Sequence, residues 1–186
     1  MRVWCWILCA ILAGGCAIGR PDHFYALDSG NLASVDARSH FAMQVTLRVS
    51  LPMIVDRDEM VLSNPGGVTI LEHERWASPL SEQISTVLGQ DIEARRPDVI
   101  VRSRNLAQDG PTATIAVEVV QLSLVKGVET HMEARWRIES GSEVTQGREV
   151  FGSPARGAGF DELVRSLNDV IGSLADRLVA GLAPGN

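Results

Sequence analysis

From Phe41 to Leu51 every second residue is apolar: Phe41, Met43, Val45, Leu47, Val49 and Leu51 alternate with Ala42, Gln44, Thr46, Arg48 and Ser50. A period of two puts one set on a core and the other on a polar face, so this stretch predicts a strand. Pro52 ends it, having no amide to give to a ladder. The alternation recurs further on, where Val128, Thr130, Met132, Ala134, Trp136 and Ile138 share one face and Glu129, His131, Glu133, Arg135, Arg137 and Glu139 the other. Residues 112–125 read as a long strand whose apolar phase slips near Val119 and Val120, the mark of a bulge. Residues 24–28, 99–102 and 143–151 predict further strands, the last followed by a loop over 152–159. Asn64-Pro65-Gly66-Gly67 turns a hairpin between residues 60–63 and 68–74, and Gln108-Asp109-Gly110-Pro111 marks another turn.

Two stretches follow a helical period instead. Leu80, Ile84, Val87, Leu88 and Ile92 form one stripe, with Ser78 placed as N-cap, Pro79 at the first helical position and Pro97 as the stop. Leu163, Val164, Leu167, Val170, Ile171, Leu174 and Leu178 form a second stripe in a helix over residues 160–182, whose first turn carries Asp161 and Glu162 as the helix dipole prefers. The sum is an α+β fold: a largely antiparallel sheet with two long amphipathic helices packed on one face. No repeat and no low-complexity linker interrupts it, so residues 24–183 read as a single domain.

The N-terminus has a different pattern. Arg2 precedes an apolar run over residues 3–12, and Ala13-Gly14-Gly15 supplies the small residues a signal peptidase accommodates. The run is too short for a membrane span, which takes roughly 20 residues. Residues 1–15 are therefore read as a cleaved export signal. Small residues followed by Cys16 resemble the lipobox of bacterial lipoproteins, in which the cysteine is acylated and becomes the mature N-terminus. Ala13 stands where that motif usually has leucine, and Leu12 lies one position further out. Cleavage after Gly15 without acylation is the competing reading. Residues 16–23, with Gly19, Pro21 and Asp22, read as a tether without apolar periodicity.

Composition narrows the function. The formal net charge is −6, and Lys126 is the one lysine among 17 basic residues. That balance argues against nucleic-acid binding and gives no support for electrostatic docking on anionic lipid, so membrane attachment falls to the acyl chains on Cys16. Removal of the signal also removes Cys5 and Cys9, which leaves Cys16 without a partner for an internal disulfide.

Candidate chemistry is sparse. Glu129, His131 and Glu133 share a strand face at metal-ligand spacing, yet the same residues with Arg135 and Arg137 match a solvated face of cross-strand ion pairs, which is the reading adopted. Glu72-His73-Glu74-Arg75 is a charge run without a second histidine at ligand spacing. No Gly-x-Ser-x-Gly elbow is present, and Gly152, Gly157 and Gly159 lack the Lys-Ser or Lys-Thr of a phosphate loop. No catalytic residue, metal or cofactor is assigned. Arg75 and Trp76, at a strand-to-helix corner, are the candidate partner-interface pair because Arg and Trp are enriched at binding hot spots. Trp76 as a packing residue between hairpin and helix is the competing reading. Trp136 is assigned to the core.

Three stretches resemble the ABC-type transport auxiliary lipoproteins, of which the paraquat-inducible protein C type is one: Phe24-Tyr25-Ala26-Leu27, Leu51-Pro52-Met53-Ile54-Val55-Asp56-Arg57-Asp58-Glu59-Met60-Val61, and Arg75-Trp76-Ala77-Ser78-Pro79-Leu80. The resemblance covers nearly all of the mature chain. It implies a non-enzymatic, periplasm-facing lipoprotein of the outer membrane, forming a homo-oligomer and working with a mammalian-cell-entry (MCE) protein and ABC transporter components to move phospholipids or other hydrophobic molecules between membranes. Ala17, with no aspartate after the anchor, is similar to outer-membrane sorting signals. A lipoprotein for outer-membrane or cell-wall assembly and a periplasmic hydrolase are the alternative function classes.

Overall fold

A computed structural model describes residues 20–30, 43–102 and 112–182. Its strands are β1 (His23–Tyr25), β2 (Met43–Ser50), β3 (Glu59–Asn64), β4 (Gly67–Trp76), β5 (Val99–Arg102), β6 (Thr112–Val125), β7 (Glu129–Ser140) and β8 (Glu143–Pro154), with helices α1 (Leu80–Arg95) and α2 (Phe160–Gly181). The α+β class expected from the periodicities is the one observed. The strands divide between two sheets, of order β1-β4-β3 and β5-β2-β6-β7-β8. Both are mixed. β2 runs parallel to β5 and β6, and β1 parallel to β4, while the β3-β4, β6-β7 and β7-β8 pairs are antiparallel. Parallel pairing joins strands far apart in sequence, which alternation alone does not reveal.

Both helices lie on one face of the five-stranded sheet, where the inward residues of β2, β6 and β7 meet their stripes. The expected stripes are the buried ones: Leu80, Ile84, Val87, Leu88 and Ile92 in α1, and Leu163, Leu167, Val170, Ile171, Leu174 and Leu178 in α2. The phase slip in β6 is a bulge between Val119 and Gln121. One extra residue moves the inward set from Val117 and Val119 to Leu122 and Leu124, so both halves of the strand keep an apolar face on the core.

Some expected boundaries differ. Val128 is 57% exposed in the β6-β7 turn and does not extend the inward set of β7. β8 continues through Gly152 and Ser153 to Pro154, pairing with β7 down to Glu129 where a loop was expected. A proline is tolerated there because β8 is an edge strand. Pro79, not Ser78, holds the N-cap position of α1. The expected turn at 108–111 and the residues Phe41 and Ala42 lie outside the described residues.

A glycine fixes how the sheet seats its large side chain. Gly147 of β8 pairs with Trp136 of β7, and a Cβ at Gly147 would collide with the six-membered edge of the indole. The guanidinium of Arg177 covers the ring at 5.1 Å from its centroid. Gly147→Ala is therefore expected to cost about 1–3 kcal/mol through overpacking. Gly67→Ala, whose added methyl meets nothing within 4 Å, is expected to stay within about 0.5 kcal/mol of the parent. Urea unfolding of the two variants checks the difference.

Candidate functional site

Cys16, the expected lipid-attachment residue, lies outside the described residues. What is described is how the chain enters the domain just after it. His73 Nδ1 lies 2.9 Å from Asp22 Oδ1, and His23 Nδ1 lies 3.7 Å from Glu74 Oε2. The Tyr25 hydroxyl donates to Glu74 Oε2 at 2.7 Å. Ala77 N donates to Tyr25 O at 2.8 Å, and Leu27 N to Gln83 Oε1 at 2.8 Å. The Tyr25 ring meets the Phe160 ring at the start of α2, with centroids 5.8 Å apart. Residues 22–27 are thus fastened to β4 and α1 by polar bonds and to α2 by ring contact. His73 and Glu74 of the Glu72-His73-Glu74-Arg75 run act as a clamp for this segment. Burial, reinforced by the bond to Glu74 and its negative charge, pushes the Tyr25 phenol up to about 12.

The strand-to-helix corner is built from the second and third stretches of the family resemblance. Pro52 O accepts from the amides of Val55 and Asp56, which folds the loop back so that Asp56 Oδ1 accepts from Ser81 N at 3.0 Å in the first turn of α1. A carboxylate from a distant loop thus does the capping expected of Ser78. Arg57 Nε donates to Glu59 Oε2 at 2.9 Å, and Arg75 pairs with both Glu59 and Asp58. Arg57 first, with the Glu59 backbone bond, holds the Glu59 carboxyl below the usual range. The candidate pair is split by this arrangement. Trp76 is 2% exposed and sits in the core, so the packing reading holds and it offers no contact surface. Arg75 is half-buried in the ion-pair cluster.

On the polar face of β7 the three candidate metal ligands do not converge on one point. His131 Nε2 faces Glu129 Oε1 at 2.9 Å, and Glu133 is engaged by Arg148 Nε of β8, which keeps the Glu133 carboxyl low. No cluster of three metal-ligating side chains occurs among the described residues.

A groove on the same open face went unrecognised in the sequence. It has a volume of about 570 Å³. Two rows of side chains cross it, and strand register sets both. Arg48 of β2 pairs with Ala116 of β6, which pairs with Arg137 of β7, which pairs with Gln146 of β8. In the next row Ser50, Glu118, Arg135 and Arg148 pair in the same order. All eight residues line the groove. The small side chain of Ala116 forms its floor between Arg48 and Arg137, and Ser50 stands at the head of the second row beside Glu118. Arg135 Nη1 lies 3.5 Å from Glu118 Oε2, and Arg137 Nε pairs with Glu139 at 2.6 Å. Arg48 has no ion-pair partner among the described residues. Its signal in the sequence was arginine at alternate polar positions of β2, β7 and β8. What brings them together is the order of strands.

Comparison with known proteins gives a family model described as "ABC-type transport auxiliary lipoprotein component", matching residues 25–179. No curated protein matches. Among solved structures, an uncharacterized protein superposes with a TM-score of 0.71 at 16% identity, covering 88% of this chain and all of its own. The protein XCC0632 from Xanthomonas campestris, assigned to the DUF330 family, superposes with a TM-score of 0.63 at 13% identity, covering 84% of this chain and 92% of its own. At such identities these two share the fold.

Two expectations follow from the clamp and the cap. Tyr25 is the chain's one tyrosine, so phenolate ultraviolet absorbance reads it alone. In the folded chain it is expected to titrate at about 12 instead of the usual 10.0. Because the folded value is the raised one, its contribution to stability is complete below pH 10 and lost as pH climbs through 12. Tyr25→Phe is expected to flatten that alkaline loss in denaturation curves. Asp56→Ala, which strips the cap from α1, is expected to lower stability by about 1 kcal/mol, measured by urea unfolding.

Proposed function

This chain belongs to the ABC-type transport auxiliary lipoprotein family, and we propose that it is the lipid-anchored docking subunit of an MCE-type system that moves phospholipids or other hydrophobic molecules between the inner and outer membranes. The observation that carries the reading is the family match over residues 25–179, which begins soon after a cysteine set behind an export signal. A lipoprotein of this family is membrane-associated. Acylated Cys16 is the attachment, at the outer membrane facing the periplasm.

The geometry of the entry segment supports a role in placement. From Cys16 to Asp22 the extended chain spans at most about 22 Å, at roughly 3.6 Å per residue. From Asp22 onward it is clamped to the domain. The folded body is thereby held against the bilayer, where a partner crossing the periplasm meets it. Among the described residues no helix is long and apolar enough to cross a membrane. The subunit acts without catalysis, and a homo-oligomer of such bodies would present a repeated docking surface to the MCE assembly.

Cys16→Ser is expected to shift the chain from the membrane to the soluble periplasmic fraction, and the parent's mass is expected to carry acyl chains absent from the variant. Membrane fractionation and intact mass measurement check both. Affinity purification of the tagged, acylated chain from detergent-solubilised envelopes is expected to retain an MCE protein and ABC transporter components. Recovery of neither, with the acylated chain intact, overturns the transport assignment.

A further inference from the structure

We propose that the groove across the open face of the β5-β2-β6-β7-β8 sheet is a binding site for a phosphate group. Its walls carry Arg48, Arg135, Arg137 and Arg148 against one lining carboxylate, Glu118. Three of the four are paired, with Glu118, Glu139 and Glu133, which leaves Arg48 as the cation in excess among the described residues of this face, in a chain of formal charge −6. Arg135 and Arg148 stand directly opposite each other on neighbouring strands, a like-charge pairing that costs stability in a sheet. Glu118 and Glu133 offset part of that cost, and an anion between the two guanidiniums offsets more. Each of these arginine pairs uses only part of a guanidinium: Arg135 meets Glu118 through Nη1, Arg148 meets Glu133 through Nε, and Arg137 meets Glu139 through Nε and donates from Nη1 to Gln146 Oε1 at 3.5 Å. Planar forks with donors to spare, converging from three strands, suit an oxyanion of several oxygens better than a carboxylate with two. The floor is short enough to admit it, because Ala116 lies between Arg48 and Arg137 in its row.

A volume of about 570 Å³ accepts a glycerophosphate-sized group. The side chains of Val117 and Trp136 are buried on the helix side of the sheet, and on the outward face Val144 and Val150 stand exposed in the rows beside the groove. The ligand is a free phosphate ester or the phosphate head group of a lipid whose chains lie outside. The link to transport rests on the function proposed above, whereas the site stands on its own geometry.

Titration calorimetry on the acylated full chain, in a phosphate-free maltoside detergent and buffer, tests it with inorganic phosphate, glycerol 3-phosphate and a short-chain phosphatidylglycerol. Saturable binding is expected, weakened about tenfold or more by the double variant Arg48→Gln, Arg137→Gln, since each loses a charge-assisted bond. Glu118→Gln is expected to tighten binding a few-fold by removing the internal competitor for Arg135. All these side chains are solvent-facing, and unchanged melting temperatures verify that the variants fold. Phosphatidylglycerol binding at least tenfold tighter than glycerol 3-phosphate identifies a lipid head group, and equal binding identifies a free phosphate. Absence of saturable binding, binding indifferent to the arginine variants, or glutamate binding as tightly as phosphate each overturns the proposal. A chain that binds phosphate yet captures no transporter partner keeps the site and loses the transport assignment, and the converse result does the opposite.

Discussion

Everything else in this structure depends on two helices covering one face of a five-stranded sheet and leaving the other, among the described residues, open. The stripe of α2 is fully buried from Leu163 to Leu178, and that of α1 from Leu80 to Ile92. A fully buried aliphatic side chain contributes about 1.5–3 kcal/mol through removal of apolar surface from water. That burial fixes which residues of β2, β6 and β7 point inward. Because side chains alternate along a strand, it fixes the outward set at the same time. The open face is therefore a by-product of core packing, and its chemistry is written in the residues between the core positions. Arg95 ties the two helices into one layer: it pairs with Asp91 of α1 at 3.1 Å, engages Asp176 of α2, and donates to Gly172 O at 3.2 Å.

Local order was legible in the residues. The alternation of β7, the stripes of both helices and the bulge of β6 are each set by neighbours within one element, which is the range over which periodicity carries information. The family resemblance was legible as well, and the structure gives two of its stretches a physical purpose. Asp56 caps α1, and the charged residues from Arg57 to Glu59 lock Arg75 beside the buried Trp76. Neither role was readable beforehand, since nothing in the spacing shows that a loop after β2 returns to the start of α1. Serine before proline was the stronger local signal for a cap, and tertiary contact overrode it.

The groove was hidden for a related reason. Arg48, Arg135, Arg137 and Arg148 each read as an ordinary solvated position on its own strand, and three of the four have a carboxylate partner. Their convergence needs the order β2-β6-β7-β8, which follows from a parallel crossover between β2 and β6 and two antiparallel hairpins. It also needs Ala116 in the row of Arg48 and Arg137, where a longer side chain would fill the floor. Gly147 contributes on the other face, where the lack of a Cβ admits the Trp136 ring behind the arginines. Core geometry and site geometry thus meet at one pair of residues.

The charge of the whole chain and the charge of the groove act over different distances. At physiological salt a field fades over about 8 Å. A chain of formal charge −6 gains nothing from long-range attraction to an anionic bilayer or anionic ligand. Four guanidiniums confined to a concave surface still act at contact, where water is partly displaced and hydrogen bonds to charge are strong. Recruitment and recognition are then separate tasks. In the function proposed above, a lipid on Cys16 would bring to the membrane, without help from its own field, a domain whose entering segment is clamped from Asp22 onward. The groove need only discriminate what has already arrived. An acidic body with a local cationic cleft is the charge distribution this division calls for, because a uniformly basic surface would press the domain onto anionic lipid and cover the face that is left open.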